Sequence, residues 1–427
     1  MPPAPRVHII GAGIGGLTLA LALRRVGLSC GVHVAAGELR EIGAGVQIGP
    51  NASRVLDHLG LSAGLDEVGV RPVTGDLRRW QDGSILTRQP LGEEVEASFG
   101  HPYFHVHRND LHQMLRQAVT DPIHLGRRCV GVEQGSSGVV ASFADGTSVT
   151  ADVLIGADGV HSAVRTELHG EQPARFSGAA AWRGLIPVEA IVDLDLPVTS
   201  TAALGPRSHF VYYYVSGGRF VNWVGIAPTE TWTTESWTAA GDLDDALEDF
   251  AGWNPTVIRL IEEMRGQPAY RWAMYDRDPL EWWGEDSVTL LGDACHPMLP
   301  YMAQGAAQSI EDAAVLAGAL ATISDIPSAL RRYEDLRRDR TARVQLAARA
   351  NEEMFHLPDG PEQEARDERL RSSSGGTHRN AWLFDYDAVA VGNSAAANNS
   401  AAANNSGAAN TRQAATDRTV GRQDVRW

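Results

Sequence analysis

Six consecutive residues, Gly292-Asp293-Ala294-Cys295-His296-Pro297, bring a carboxylate, a thiol and an imidazole together. Such a set could be a nucleophile with its base, a metal site, or neither. Cys295 and His296 are adjacent, so on a strand or turn their side chains diverge and pair poorly as nucleophile and base. No further ligand lies beside them at metal spacing. Asp293 is a different kind of candidate. It follows the apolar run SVTLL, at the carboxyl end of a strand, where open α/β sheets hold their ligands. Two other apolar runs end the same way. One is ADVLIG, followed by Ala157-Asp158-Gly159. The other is VHII, followed by Gly11-Ala12-Gly13-Ile14-Gly15-Gly16. In this GxGxxG pattern Gly11 permits a tight turn and Gly13 lets backbone approach a pyrophosphate. Gly16 lets helix and strand pack closely, and the helix N-terminus offers its free N–H groups to phosphate.

These residues need a βαβ frame. VHII reads as a strand, residues 17–27 as a helix closed by Gly27, and SCGVHVAAG as a second strand. An acid is expected at the end of that second strand to hold a ribose hydroxyl. Val34 stands there instead, and Glu38 and Glu41 lie beyond the strand. The missing acid is worth one charge-assisted hydrogen bond, about 1.5–3 kcal/mol. Residues 175–285 change character: Trp, Tyr and Val between turn residues read as mostly antiparallel sheet. Within them residues 209–226 read as a hairpin turned at Gly217-Gly218. Alternation puts His209, Val211 and Tyr213 on one face and Phe210, Tyr212 and Tyr214 on the other. A histidine and a phenol on one face can take a proton from a phenolic substrate, or can simply pack. From residue 288 to about 353 an alanine-rich helical pattern returns. Residues 358–380 are charged and loop-like. Residues 391–427, with NSAAANNSAAANNSGAAN, read as a disordered low-complexity tail.

The chain is 427 residues long, which favours two domains. A formal net charge of −16 disfavours nucleic acid and anionic membranes as partners. Three scattered cysteines, Cys30, Cys129 and Cys295, fit neither a disulfide framework nor a zinc site and point to a reducing cytoplasm. MPPAPRVHII does not read as a signal peptide, and no apolar run reaches membrane-spanning length. His105, His107 and His112 cluster with Asp110 as the one carboxylate nearby, and no metal is expected there. Trp182, Trp223, Trp272 and Trp282 read as core.

As a set, GxGxxG, GADGVHSAVR and LLGDACHPMLPYMAQGAAQSIEDAA resemble the signature of single-component flavin-dependent aromatic hydroxylases of the para-hydroxybenzoate hydroxylase fold. The resemblance spans residues 6–387, and the surrounding text is most similar to salicylate, 3-hydroxybenzoate and 6-hydroxynicotinate hydroxylases. It implies an α/β fold: a Rossmann-like FAD-binding domain (residues 1–174 and 286–390) with an inserted, mostly antiparallel substrate-binding sheet (175–285). It implies FAD held by Gly11, Gly13, Gly15 and Gly16, with Arg108 and Val130 beside it. Asp158 and Gly159 would serve FAD and a transient NADH or NADPH, and Gly292 and Asp293 the ribityl chain. The helix start Gly305-Ala306-Ala307 would face the flavin pyrimidine edge, where N–H groups stabilise negative charge. His209 and Tyr213 become the candidate acid–base residues. Gln47 becomes a pocket residue or a loop hydrogen bond, and Pro300 and Gln304 become pocket walls. The implied activity is hydroxylation of a small phenolic aromatic acid with O2, in a monomer or homodimer. Alternatives are a hydroxylase of 6-hydroxynicotinate or of a larger aromatic intermediate, a flavin reductase, and a nucleotide-binding regulator without catalysis.

Overall fold

The computed structural model describes residues 4–38, 44–135, 138–229, 240–373 and 380–394. The strand Val7–Ile10 is flanked in parallel by Cys30–His33 on one side and Val153–Gly156 on the other, and Val288–Leu290 pairs with the latter. Strands covered on both faces must be apolar throughout, which is why these runs show no alternation. The sheet order is Gly284–Glu285, Val288–Leu290, Val153–Gly156, Val7–Ile10, Cys30–His33, Ile123–His124. The three strands that run into Gly11, Ala157-Asp158-Gly159 and Gly292-Asp293 are therefore neighbours. Their carboxyl ends form one edge, over which the helices Ile14–Arg25 and Gly305–Thr322 pack together.

The second sheet has eight strands, in the order Ala240–Gly241, Ala269–Asp276, Arg175–Pro187, Phe220–Pro228, Ser208–Val215, Thr199–Gly205, Thr74–Arg79, Ile85–Pro90. The hairpin is present, with a short 3-10 turn at Ser216–Gly218. One face buries Trp182, Phe210 and Trp223 against Phe250, Trp253, Val257 and Leu260. The opposite face carries His209, Val211 and Tyr213.

Several expectations change. Thr74–Arg79 and Ile85–Pro90 join the second sheet although they lie before residue 175. Thr74–Arg79 lies parallel to Thr199–Gly205. Their charges hid them: Asp76 is buried and accepts hydrogen bonds from Arg78 and Arg88. Residues 361–372, read as loop, form the helix Pro361–Ser372, which buries Leu370 against Leu86 and pairs Asp367 with Arg79 at 2.7 Å. The helix Ala388–Asn393 runs into the segment read as tail, and residues 395–427 lie outside the described residues. Trp282 is 38% exposed, and its neighbour Trp283 is the buried one. No helix among the described residues is long and apolar enough to cross a membrane.

Candidate active site

The glycines of the first turn divide by what a side chain would meet. Gly11 has φ +114°, and a Cβ there would lie 2.1 Å from the Ala157 carbonyl oxygen, on the neighbouring strand end. A Cβ on Gly16 would lie 2.1 Å from the Gly11 oxygen, and one on Gly15 2.6 Å from Leu291 Cδ2. Gly13 is unlike these: its Cβ would meet nothing within 4 Å, and it borders a large cavity. The helix that starts here, Ile14–Arg25, has no side-chain cap and no acid in its first turn. Its first N–H groups and positive dipole end are left for an anion. This cradle fits the pyrophosphate of FAD.

The cavity, of about 1120 Å3, joins most of the residues singled out from the sequence. Gly13 and Gly15 border it, then Arg108, Gly159, Gly292 and Asp293, then Gln47, Pro300, Gln304, Gly305 and Ala306. His209 and Tyr213 close the list on the sheet. Five residues stand outside its lining. Gly11 and Gly16 pack behind the turn. Ala307 is wholly buried, one position beyond the lining residue Ala306. Val130 is 48% exposed on the separate three-stranded sheet. The Asp158 carboxylate accepts from Ser162 Oγ and from the Ala163 N–H, so it caps the helix Ala163–His169. Burial raises its carboxyl. Of the acids near the missing ribose ligand, Glu38 is exposed and Glu41 lies outside the described residues. The helix Gly305–Thr322, like the first, starts with neither side-chain cap nor acid.

The Gly292-Asp293 turn is held from below by charges the sequence reading passed over. Asp312 Oδ2 accepts from the Gly292 N–H at 3.1 Å and contacts His296 Nε2 at 2.6 Å. Its other oxygen takes Arg337 Nε at 2.7 Å. Arg337 also pairs with Glu311, which receives Arg340 at 2.7 and 2.8 Å and Asn51. Burial would raise the Asp312 carboxyl, but His296 and Arg337 hold it below the usual range; Arg337 and Arg340 do the same for Glu311. Cys295, His296 and Asp312 form the one cluster among the described residues with ligand atoms close enough for a metal ion. Both oxygens of Asp312 are engaged, and burial drives the Cys295 thiol well above its ordinary value, so it stays neutral. The cluster braces a loop. The cue was the pair Glu311-Asp312 inside an alanine-rich helix, where a charge without a partner would not survive burial.

On the sheet side, Gln47 lies between partners: Tyr103 donates to its Oε1 at 2.6 Å and its Nε2 donates to Ser200 at 3.2 Å. Gln47 also hydrogen-bonds Tyr213. Tyr213 stacks on His105, with centroids 4.4 Å apart. Burial raises the Tyr213 hydroxyl, and Arg183 and Gln47 offset this only in part. His209 and Tyr213 share the face as expected, yet four residues at roughly 3.3 Å each separate them by about 13 Å. His209 belongs to another cluster: its Nδ1 contacts His356 Nε2 at 2.8 Å, and Tyr301 and Phe355 pack on its ring. Burial lowers it far below its ordinary value. Gln304 is 2% exposed and bonded to Asn51 and Gln308. Pro300 opens a short turn at the cavity wall. Among the further residues that border the cavity are Tyr103 and Arg183. A lone charge in the strand text AAAWRGLIP was the available signal for Arg183.

A family model described as FAD binding domain matches residues 5–348. Over 391 residues the chain is 40% identical to the 3-amino-4-hydroxybenzoate 2-monooxygenase PtmB3 of Streptomyces platensis, covering 91% of this chain and 98% of that one. It is 35% identical to the 6-hydroxynicotinate 3-monooxygenase of Pseudomonas fluorescens over 82% of this chain and 92% of the relative. The structure of Klebsiella pneumoniae HpxO complexed with FAD and uric acid superposes with a TM-score of 0.80 at 32% identity. It covers 90% of this chain and 97% of that one. The cradle, the cavity and these likenesses agree: the chain belongs to the FAD-binding-domain family, among its flavin-dependent aromatic monooxygenases.

Proposed function

We propose that the protein uses NAD(P)H and O2 to hydroxylate a small phenolic aromatic acid of the hydroxybenzoate or salicylate type. The observation that carries this is one continuous cavity with a dinucleotide cradle and a phenol-lined aromatic wall on the same boundary. FAD, when bound, would supply the redox chemistry by which electrons from the nicotinamide and one atom of O2 reach the ring, the other atom leaving as water. The chain's own residues hold and orient. Gly11, Gly13, Gly15 and Gly16 shape the pyrophosphate cradle. Asp293 would receive the ribityl chain, with Arg108 and Gly159 bordering the same cavity. The N–H groups at Gly305 and Ala306 face the flavin ring, where a helix N-terminus favours negative charge.

Tyr213 is the residue that meets the substrate hydroxyl. Its own hydroxyl is protonated at neutral pH, so it acts as a relay: it takes a proton at Oη while its own leaves to solvent water entering the cavity, and Gln47 only orients the phenol. Deprotonation makes the ring more electron-rich. His209 forms the wall at the Tyr301–Phe355–His356 end and does not pair with Tyr213. Apolar Val211, Val224 and Ala202 keep the space between dry. Three buried free thiols and a nicotinamide reductant suit the cytoplasm.

The test is a screen of hydroxybenzoates, salicylate and hydroxynicotinates for stimulated NADH and NADPH oxidation, with labelled O2. One labelled atom in the product is expected; stimulated oxidation that yields only hydrogen peroxide from every compound would overturn the reading. Tyr213→Phe should lower turnover about 100-fold or more while His209→Ala costs less than tenfold, given the usual weight of a proton-transfer group. Equal turnover by Tyr213→Phe and the wild type removes the relay.

A further inference from the structure

Arg183 sits on the strand Arg175–Pro187, at one edge of the cavity floor, opposite Val224. Its side chain shares the cavity-facing row with Val224, Val211 and Ala202, and it is the one cation in that row. Its guanidinium lies over the Trp272 ring, Cζ 3.9 Å from the centroid. Stacking on one face leaves the nitrogen-bearing edge as the part that can meet a ligand. The Nε is buried without a hydrogen-bond partner, and among the described residues no carboxylate pairs with Arg183. Two other buried arginines have acids: Arg337 has Glu311 and Asp312, and Arg366, which also borders the cavity, has Asp367 and two backbone oxygens. Burial, with Arg108 adding like charge, pulls the Arg183 guanidinium down to about 10. It remains a cation at neutral pH, and a buried cation without its anion is costly.

We propose that Arg183 is the specificity-determining anchor for a ring carboxylate, and that the substrate itself brings the missing anion. This rests on the reading of the cavity as a phenolic-acid site. Arg183 and Tyr213 flank the same strand, opposite Val224 and Asn222 respectively. Two strand spacings and two residues along place their Cα atoms roughly 12 Å apart. Side chains leaning inward from both ends leave a gap the length of one substituted benzene ring. Carboxylate at Arg183 and hydroxyl at Tyr213 would then fix both the position and the direction of the ring. A fork of N–H donors matches a carboxylate bidentately, which a neutral substituent cannot reproduce.

The experiment measures binding rather than turnover. FAD-loaded wild type, Arg183→Met and Arg183→Lys are titrated with a panel of hydroxybenzoates and with the matching hydroxybenzamides, followed by perturbation of the flavin absorbance. The wild type should prefer each ligand acid over its amide. Arg183→Met should weaken the acid by roughly 10- to 150-fold, the weight of a hydrogen bond to a charged group, and leave the amide unchanged. Arg183→Lys keeps the charge without the fork and should restore part of the preference while retaining FAD. No acid preference in the wild type overturns the proposal. So does a preference that survives in Arg183→Met, or a loss of FAD in both variants, which would give the residue to the cofactor. If the acids bind through Arg183 but none receives labelled oxygen, the anchor stands and the proposed reaction falls.

Discussion

Gly11 and Gly13 stand two residues apart, and the same substitution should act on them in opposite ways. Gly11 has a backbone angle closed to other residues, and an added methyl would collide with the Ala157 carbonyl. Gly11→Ala should therefore lower the stability of the apoprotein itself by more than about 2 kcal/mol, from strain alone. Gly13 has ordinary backbone and open space, so Gly13→Ala should fold as the wild type does. Its methyl would occupy the place of the pyrophosphate, and FAD affinity should drop at least about tenfold, the loss of one hydrogen bond of about 1.4 kcal/mol. Thermal unfolding of the apoproteins and titration with FAD separate the two effects. If Gly13→Ala binds FAD with undiminished affinity, the cradle is not where we place it. These positions were readable in advance because the chemistry of a phosphate turn demands glycine at set intervals. Arg183 was not: its meaning depends on which strand lies next to it, and spacing along the chain carries no such information.

The element that organises the site is the helix Gly305–Thr322, which offers its N-terminus to the cavity and Asp312 to the turn before it. Asp312→Asn would leave Arg337 buried with one acid instead of two and weaken the hold on the Gly292 N–H. Removing one partner of a buried pair costs roughly 3–5 kcal/mol. The variant should unfold at lower temperature and lose FAD together. Asp293 is exposed within the cavity, so Asp293→Ala should lose FAD affinity with its apoprotein unfolding temperature unchanged. If Asp312→Asn unfolds like the wild type, the network does not brace the turn. The strand–turn–helix order was legible from apolar runs ending in glycine, and the hairpin from its alternation. The strands Thr74–Arg79 and Ile85–Pro90 were not, because their charges read as solvent-facing, whereas Asp76 is buried between Arg78 on its own strand and Arg88 on the next. The helix Pro361–Ser372 was missed for a related reason. It is polar nearly all round, and it buries Arg366 and Asp367 as a pair instead of presenting an apolar stripe.

At the scale of the whole molecule, buried histidines set the response to acid. Burial lowers His105 to about 3, and His33 and His356 to about 4; His209 moves the same way. Three of these sit in imidazole pairs, His33 with His8 at 2.9 Å and His209 with His356 at 2.8 Å, where a second proton would set two cations side by side. The sign follows directly. In the unfolded chain each imidazole binds a proton below its ordinary value of about 6.5, while the folded chain refuses it. The unfolded state therefore holds more protons, and stability falls as pH drops from about 6.5 toward 4. His105 alone contributes about 1.4 kcal/mol per pH unit across that window. The buried carboxylates act elsewhere: Glu311, Asp312, Asp76 and Asp276 are all held below their ordinary range, so their contribution is complete above about 4 and is lost only in stronger acid. Urea unfolding of the apoprotein at pH 7.5, 6.0 and 5.0 isolates the histidines. The midpoint should be nearly constant down to pH 7 and then decline steeply, before Glu311, Asp312, Asp76 or Asp276 titrates. His105→Gln should start less stable and decline less, by about the single-histidine slope. A midpoint that does not move between pH 7.5 and 5.0 would mean that these imidazoles take up protons in place, and that the cavity wall at His209 and the packing of His105 behind Tyr213 open to water more readily than their burial implies.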